Sequence, residues 1–323
     1  MPVSQSSNMP AGISVVVPVY NSQDSLAPLL ARLEPVLRAE NTPFEVLLVN
    51  DGSKDTSWRV ITELAARHDW VRGINLMRNY GQHNALLCGI REARCATIVT
   101  IDDDLQNPPE EIPQLLAKLR DGFDVVYGKP KHEQHGLWRD LASQITKLVL
   151  QKAMGADTAR NISAFRAFRT ALRQSFAEYR SPLVSIDVLL TWGTSRFTAI
   201  EVRHDPRTIG TSHYNVRKLM LHATNMLTGF STWPLRLASM VGFAFTAFGM
   251  AVLAYVLFRY MTTNTPVQGF AFLASVIAIF AGAQLFALGI MGEYLARIHQ
   301  RTLERPAYTV AERAGGTTEK TSP

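Results

Sequence analysis

The chain predicts an α/β domain, built on a mixed and mostly parallel sheet flanked by helices, followed by amphipathic surface helices and a two-helix transmembrane hairpin. Three observations carry that class. Short β-branched runs alternate with amphipathic stretches through the first third of the chain. Two long uncharged runs lie near the C-terminus. With 323 residues and 47% hydrophobic side chains, there is enough apolar material for one large domain plus a part that does not sit in water.

Residues 1–10 are polar and small, with no basic n-region and no apolar h-region, so they read as a flexible N-terminus and not as a cleavable signal. Ile13–Val17 is a β-branched run ending at Pro18, and Phe44–Val49 is a second that ends at Asn50-Asp51-Gly52-Ser53. An amphipathic helix near Ser25–Arg38 joins them. A third strand is expected at Val71–Met77, a helix from about Asn84 to Ala93, and a fourth strand at Ala96–Ile101 that runs into Asp102. Such βαβ alternation makes a parallel sheet, and ligands bind at the carboxyl ends of its strands. Those ends carry Tyr20-Asn21, Asp51, Arg78-Asn79 and Asp102–Asp104, which one cleft could collect within a domain spanning 11–212.

From Leu237 to Phe258 there is no charged residue, and after Thr262-Thr263-Asn264 a second uncharged run extends from Thr265 to Gly292. Each reaches the ~20 residues that cross a bilayer, giving spans at 233–261 and 266–293. Gly242, Ala244, Ala247 and Gly249 on one run, and Ala278, Ala281, Gly282 and Ala283 on the other, allow close packing. Arg217, Lys218 and Arg236 precede the first span, and Arg297, Arg301, Arg305 and Arg313 follow the second. The positive-inside rule therefore puts both termini, the large domain and the 294–323 tail in the cytoplasm. Two amphipathic helices should lie on the bilayer surface: one at about 137–154, with Leu137, Leu141, Ile145, Leu148 and Leu150 opposite Arg139 and Lys147, and a juxtamembrane one at 213–232. Polar residues from Ala311 onward predict a disordered end.

The net charge of +6 suits an anionic partner. The cations are scattered and no aromatic-basic platform accompanies them, which argues against nucleic acid. Cys88 and Cys95 read as two buried thiols. His132 and His135, near Lys129 and Lys131, lack the carboxylates or thiols of a zinc set and fit a loop over the cleft. Trp192 and Trp233 read as packing residues or interfacial anchors.

The strongest chemical signal is IDDDLQNPPEEIP. Asp102 and Asp104 flank one residue at the end of an apolar strand, a hard-oxygen pair suited to Mg²⁺ or Mn²⁺ with substrate phosphates completing the shell. Gln106 could add a neutral oxygen. An acidic turn that merely caps the helix starting near Pro108-Pro109-Glu110 is the alternative.

The runs VVVPVYN, LLVNDGSKDTS, LMRNYGQHNALLCGI and IDDDLQNPPEEIP resemble, in order and spacing, the family 2 glycosyltransferases that act on polyprenyl phosphates. RNYGQHNA and DLQNPPEEIP look most like the undecaprenyl-phosphate 4-deoxy-4-formamido-L-arabinose transferases, with dolichol-phosphate mannosyltransferase-like enzymes more distant. The resemblance extends to GIMGEYLARI and RPAY. It implies a GT-A, Rossmann-like fold and inverting transfer from a nucleotide sugar, with UDP favoured, to undecaprenyl phosphate at the cytoplasmic membrane face. The product would be a lipid-linked sugar for cell-envelope glycan or lipid A modification.

Carried over by position, Pro18, Tyr20, Asn21, Asp51, Arg78, Asp102 and Asp103 would surround the nucleotide sugar, and Asp102, Asp104 and Gln106 the metal. Lys129, Arg139, Arg166 and His213 would meet phosphate, and Asp104, Asp157 and Arg139 would carry catalysis. Related enzymes often form homo-tetramers. Three positions depart from the pattern: Arg160 stands where an aspartate is usual, with Asp157 the nearest carboxylate; His213 replaces a lysine; and Ser22 replaces a glutamate. A glycan-extending membrane transferase is the alternative enzyme, although the Gln-x-x-Arg-Trp element typical of such synthases is missing. A non-catalytic membrane partner derived from the enzyme is the alternative outside catalysis.

Overall fold

A computed structural model describes residues 9–130, 162–205, 233–263 and 269–316. The chain forms two units, one comprising residues 1–141, 154–214 and 304–323, the other residues 142–153 and 215–303.

In the first unit the strands are β1 (Ile13–Val19), β2 (Phe44–Asn50), β3 (Val71–Leu76), β4 (Thr97–Thr100), β5 (Val125–Pro130), β6 (Arg166–Arg169), β7 (Phe197–Val202) and β8 (Val310–Ala314). They make one mixed sheet in the order β7-β5-β6-β4-β1-β2-β3-β8. The centre is parallel: β1 pairs with β2 and β4, and β2 with β3. Antiparallel β6 bridges β4 to β5, and β7 runs parallel to β5 at that edge. The expected βαβ alternation is thus the core of the fold, with α1 (Leu26–Ala39), α2 (Ser57–Arg67), α3 (Gln82–Glu92), α4 (Ile112–Arg120) and α5 (Ile186–Thr191) around it.

Every residue of β1 is buried. Both its faces are covered, so apart from Ser14, whose hydroxyl donates to Glu45 at 2.7 Å, the strand is an apolar run without alternation. Val15, Val17 and Val19 face one cluster with Leu26, Leu29 and Leu33 of α1. Val16 faces the other, with Leu86, Leu87 and Ile90 of α3.

Two elements differ from expectation. Helix α2 buries Ser57, Ile61, Leu64 and Ala65 on one face, a spacing legible in the sequence but unassigned above. The tail predicted to be disordered from Ala311 instead forms β8 through Ala314, antiparallel to β3. Glu312 accepts a 2.8 Å bond from the Trp58 indole, and Arg313 reaches Glu92 at 2.8 Å. An edge strand needs only backbone pairing and one partly covered face, so its polarity says little about order.

The second unit contains α6 (Trp233–Thr263) and α7 (Phe270–Thr302). Among the described residues, the stretches long and apolar enough to cross a membrane are Leu235–Arg259, 25 residues, and Ile279–His299, 21 residues. At 1.5 Å per residue both exceed the ~30 Å hydrocarbon thickness of a bilayer. Phe245 and Phe280 meet edge to face at 5.8 Å between the helices. Met240, Phe243, Leu253, Leu285 and Leu288 are exposed, as residues facing lipid would be. The expected surface helices at 137–154 and 213–232 lie outside the described residues.

Candidate active site

The carboxyl ends of β1, β2, β3 and β4 converge on one edge of the sheet, and the loops leaving them are tied together by hydrogen bonds. After β1 the chain turns through Asn21, a non-glycine residue in the left-handed region at φ 53°. Its amide donates to Ser53 Oγ at 3.0 Å, and its side-chain oxygen accepts from the Lys54 amide at 2.8 Å. The Ser22 amide donates to Ser57 Oγ at 2.9 Å, completing the lacing of the β1 loop to the β2 loop. Pro18 is buried within β1, opposite Val49, whereas the Tyr20 ring is 44% exposed at the mouth.

Asp51 is 3% exposed and accepts from the Tyr80 and Gly81 amides at 2.7 and 2.8 Å, one on each oxygen. It therefore fixes the loop at the start of α3. Burial pushes its carboxyl up from the ordinary value, while the two amides favour the charged form. Gly52, at φ +63°, packs where a Cβ would lie 2.4 Å from the Asn79 amide nitrogen, so only glycine fits beneath that loop. Arg78 lies over the Tyr80 ring at 4.5 Å.

At the end of β4 the three aspartates are half-buried and divide their work. Asp102 Oδ1 accepts from Gln82 Nε2 at 2.7 Å. Asp103 turns back to the β1 loop, where the Tyr20 amide donates to it at 3.4 Å and the Ser22 hydroxyl also bonds. Burial raises the Asp103 carboxyl to about 6, the hydrogen bonds opposing this and the Asp104 charge adding to it. Asp104 Oδ1 accepts from the Gln106 amide at 3.2 Å, across a turn in which Leu105 takes a left-handed φ of 60°. Asp102, Asp104 and Gln106 all lie in the half-buried turn after β4 and carry oxygens of the hard type. Among the described residues no three His, Cys, Asp or Glu side chains group to hold an ion by themselves. A cation here would thus draw part of its shell from substrate phosphate, which is how Mg²⁺ is usually held.

Other expected residues fall elsewhere. Arg166 is not available to phosphate: it is 1% exposed in β6, and its guanidinium donates to Asp187 Oδ1 and, at 3.1 Å, to Thr100 Oγ1. The Tyr127 hydroxyl donates to the same Asp187 oxygen at 3.0 Å. Lys129 is half-buried near the end of β5, separated from β1 in the sheet by β6 and β4. Arg139, Asp157, Arg160 and His213 lie outside the described residues. Gln82 is the site residue not singled out above, although it sits within the RNYGQHNA run. Its signal was its place at the start of the helix that follows the Asp51-bound loop.

Comparison with known proteins agrees with this geometry. Residues 14–179 match Glycosyl transferase family 2. The undecaprenyl-phosphate 4-deoxy-4-formamido-L-arabinose transferase of Yersinia enterocolitica is 35% identical over 94% of this chain and 94% of its own. The enzyme of the same name from Shewanella sediminis is 37% identical over 93% and 92%. Among solved structures, glucosyl-3-phosphoglycerate synthase from Mycobacterium tuberculosis, in complex with Mn²⁺, UDP-glucose and phosphoglyceric acid, aligns with a TM-score of 0.51. It shares 15% identity and covers 68% of this chain and 79% of that one, a likeness of fold. By both the extent of the family match and the near full-length relatives, the chain belongs to glycosyl transferase family 2.

Proposed function

We propose that this glycosyltransferase moves a sugar from a nucleotide sugar, most readily a UDP-sugar, to undecaprenyl phosphate at the cytoplasmic face of a bacterial inner membrane, with Mg²⁺ or Mn²⁺ as cofactor. The observation that carries it is the meeting of Asp51, Tyr20 and the Asp102–Asp104 turn at the carboxyl ends of β1, β2 and β4, in a chain that also holds two bilayer-length helices. The relatives' names supply the acceptor, and the Mn²⁺ and UDP-glucose of the fold neighbour are in keeping with the donor side. The chain leaves the catalytic unit before α6 and rejoins it as β8 after α7. A hairpin whose two ends belong to one folded unit favours both ends on one side of the membrane, as the Arg and Lys flanks also do.

Asp51 would hold the 78–81 loop as a wall of the nucleotide pocket, with the exposed Tyr20 ring at its mouth. Asp102, oriented by Gln82, would hold the cation with Asp104 and the Gln106 side chain. Lewis acidity toward the departing diphosphate is what a bound Mg²⁺ or Mn²⁺ supplies. A lipid phosphate is already an anion at neutral pH, so its oxygen can attack the anomeric carbon without first losing a proton. The new C–O bond forms as the bond to the diphosphate breaks, the electron pair leaves on the diphosphate, and in-line displacement inverts the centre. No glycosyl-enzyme is required, in contrast to retaining glycosidases. Arg139, His213 and Lys129 are the cations proposed for phosphate, and Asp157 is the carboxylate available if a base assists.

The test is transfer of radiolabel from a panel of UDP- and GDP-sugars into organic-extractable lipid by purified protein with undecaprenyl phosphate and Mn²⁺ or Mg²⁺. Lipid-linked label from one donor, abolished by EDTA and by Asp104→Ala, is expected. Label that resists both treatments would overturn the metal assignment, and no transfer from any donor by folded protein would overturn the activity.

A further inference from the structure

The turn carrying Asp104 and Gln106 does not hold its own shape. Leu105 occupies the left-handed region, which disfavours a side chain with a Cβ, so surrounding structure must impose the conformation. The Asp104–Gln106 bond of 3.2 Å is a weak local tie. A second tie comes from far along the chain: the Asp205 amide, three residues past the end of β7, donates to the Gln106 carbonyl at 2.8 Å.

The segment making that bond is itself anchored by a cluster of four charges. Arg32 of α1 grips Glu110 with two bonds of 3.0 and 2.7 Å. Arg203 lies 3.7 Å from Glu110 and 3.1 Å from Asp205, and Arg32 lies 3.8 Å from Asp205. Two cations and two carboxylates alternate, so each charge has two opposite neighbours. The cluster joins α1, the 3₁₀ turn at Pro109–Glu111 and the segment after β7. Glu110 follows this turn by four residues, so the chain is held just beyond the turn by Glu110 and at the turn's last residue, Gln106, by the Asp205 amide.

We infer that Arg203 and Asp205 are positioning residues for the cation site: the strand-end segment they anchor clamps the Leu105–Gln106 turn in the shape that presents Asp104 and Gln106. This rests on the metal-dependent donor site proposed above. A clamp acting through another residue changes the affinity for the cation and the mobility of the turn, not the identity of the ligands. Groups that orient metal ligands are worth about 10–100-fold in affinity, and half-exposed ion pairs fall at or below the low end, so about three- to tenfold is expected here.

Two measurements on the full chain in detergent separate the clamp from the metal reading. Binding of Mn²⁺ is followed by loss of the free-ion EPR signal with UDP or GDP present, and deuterium uptake is followed over residues 102–107 without ligand. The variants are Arg203→Gln/Asp205→Asn, the conservative Arg203→Lys, and Arg59→Gln as a control in an ion pair on α2. The double variant should bind Mn²⁺ about three- to tenfold more weakly and exchange faster at 102–107, with Arg203→Lys restoring most of both and the control matching wild type. Unchanged exchange at 102–107 in a folded double variant overturns the clamp. Wild-type protein that takes up no Mn²⁺ with either nucleotide overturns the metal reading, while the exchange result still decides whether the turn is clamped.

Discussion

Replacing Asp187 by asparagine should be among the most damaging conservative changes to this protein. Asp187 is 6% exposed, and its Oδ1 accepts from both Arg166 and Tyr127; Arg166 is 1% exposed, donates also to Thr100 and lies over the Tyr127 ring at 5.9 Å. Removing the carboxylate charge leaves a guanidinium in the core without its counter-ion, a change worth about 3–5 kcal/mol. That is a large part of the 5–15 kcal/mol that a domain usually has in hand. At roughly 2–4 °C per kcal/mol for a domain of this size, the thermal midpoint of the catalytic unit should fall by about 10 °C or more. The assay is unfolding followed by tryptophan fluorescence in detergent, beside the triple variant Arg166→Met/Asp187→Leu/Tyr127→Phe. The triple variant removes both charges and the hydroxyl that would lose its acceptor, and should recover most of the loss because an apolar set needs no counter-charge. A midpoint within about 2 °C of wild type for Asp187→Asn would refute the claim that this pair is desolvated. The same cluster bears on function: Arg166→Met that still folds should bind UDP as wild type does, and a selective loss of nucleotide affinity would return Arg166 to the phosphate site.

Three further outcomes are expected. Gly52→Ala puts a Cβ 2.4 Å from the Asn79 nitrogen and 2.5 Å from the Arg78 carbonyl carbon at a φ of +63°, whereas Gly81→Ala, at φ +96°, meets nothing within 4 Å. The first should cost about 2–4 kcal/mol and weaken UDP binding about tenfold in a titration, the second only about 1–2 kcal/mol of strain; equal effects would contradict the packing argument. Burial pushes the Cys88 thiol up to about 12 from 9.0, with Glu92 adding to the rise and Arg313, Tyr308 and Arg91 opposing it. Because the folded value is the higher, the stability linked to the neutral thiol is complete below pH 9 and lost as pH climbs from 9 toward 12; Ellman's reagent at pH 8 should leave native Cys88 unmodified and label it in guanidinium. Deleting residues 304–323 uncovers the β3 edge from Gly73 to Leu76, so the thermal midpoint should drop and light scattering should show association; monodisperse protein of unchanged midpoint would mean that β8 adds nothing.

The parallel centre of the fold was legible because burial on both faces leaves a strand mostly apolar residues to use, with Ser14, Glu45 and Asn50 the buried polar exceptions in β1 and β2. ISVVVPV and FEVLLVN carry that mark, and so does the run before Asp102. The rim was not legible, for the complementary reason. Strand β6 is only Arg166–Arg169, with a buried arginine at its first position, and β7 is mostly half-buried. Neither pattern distinguishes a strand from a loop until its neighbour is known. The failure at β8 is of the same kind. VAERA has two exposed charges, and what orders it is a ladder with β3 more than 230 residues earlier together with the Glu312 and Arg313 contacts. Composition measures what a segment can bury by itself, whereas an edge strand is ordered by what it can pair with.

The same asymmetry applies to the charged residues singled out from the sequence. A carboxylate at the end of an apolar strand must be exposed, paired or offered to a ligand; Asp51 accepts from two amides, and Asp102–Asp104 are half-buried and each accept a hydrogen bond. That requirement does not divide the roles: Asp103, between Asp102 and Asp104, turns back to the Tyr20 amide and Ser22 and serves the loop. Arg166, which the resemblance alone assigned to phosphate, meets the same requirement inside the protein. A cation beside buried Phe165 and Phe168 needed an anion, and the anion was Asp187, 21 residues on, not a phosphate. Asp187 was already in view in the sequence as the acidic member of SIDVLL, an otherwise apolar run with the same unmet need. Two opposite charges, each stranded in apolar surroundings, satisfy one another at lower cost than either satisfies itself with a transient ligand, because the protein must stay folded when that ligand leaves. A buried charge is therefore better assigned first to its complement within the chain.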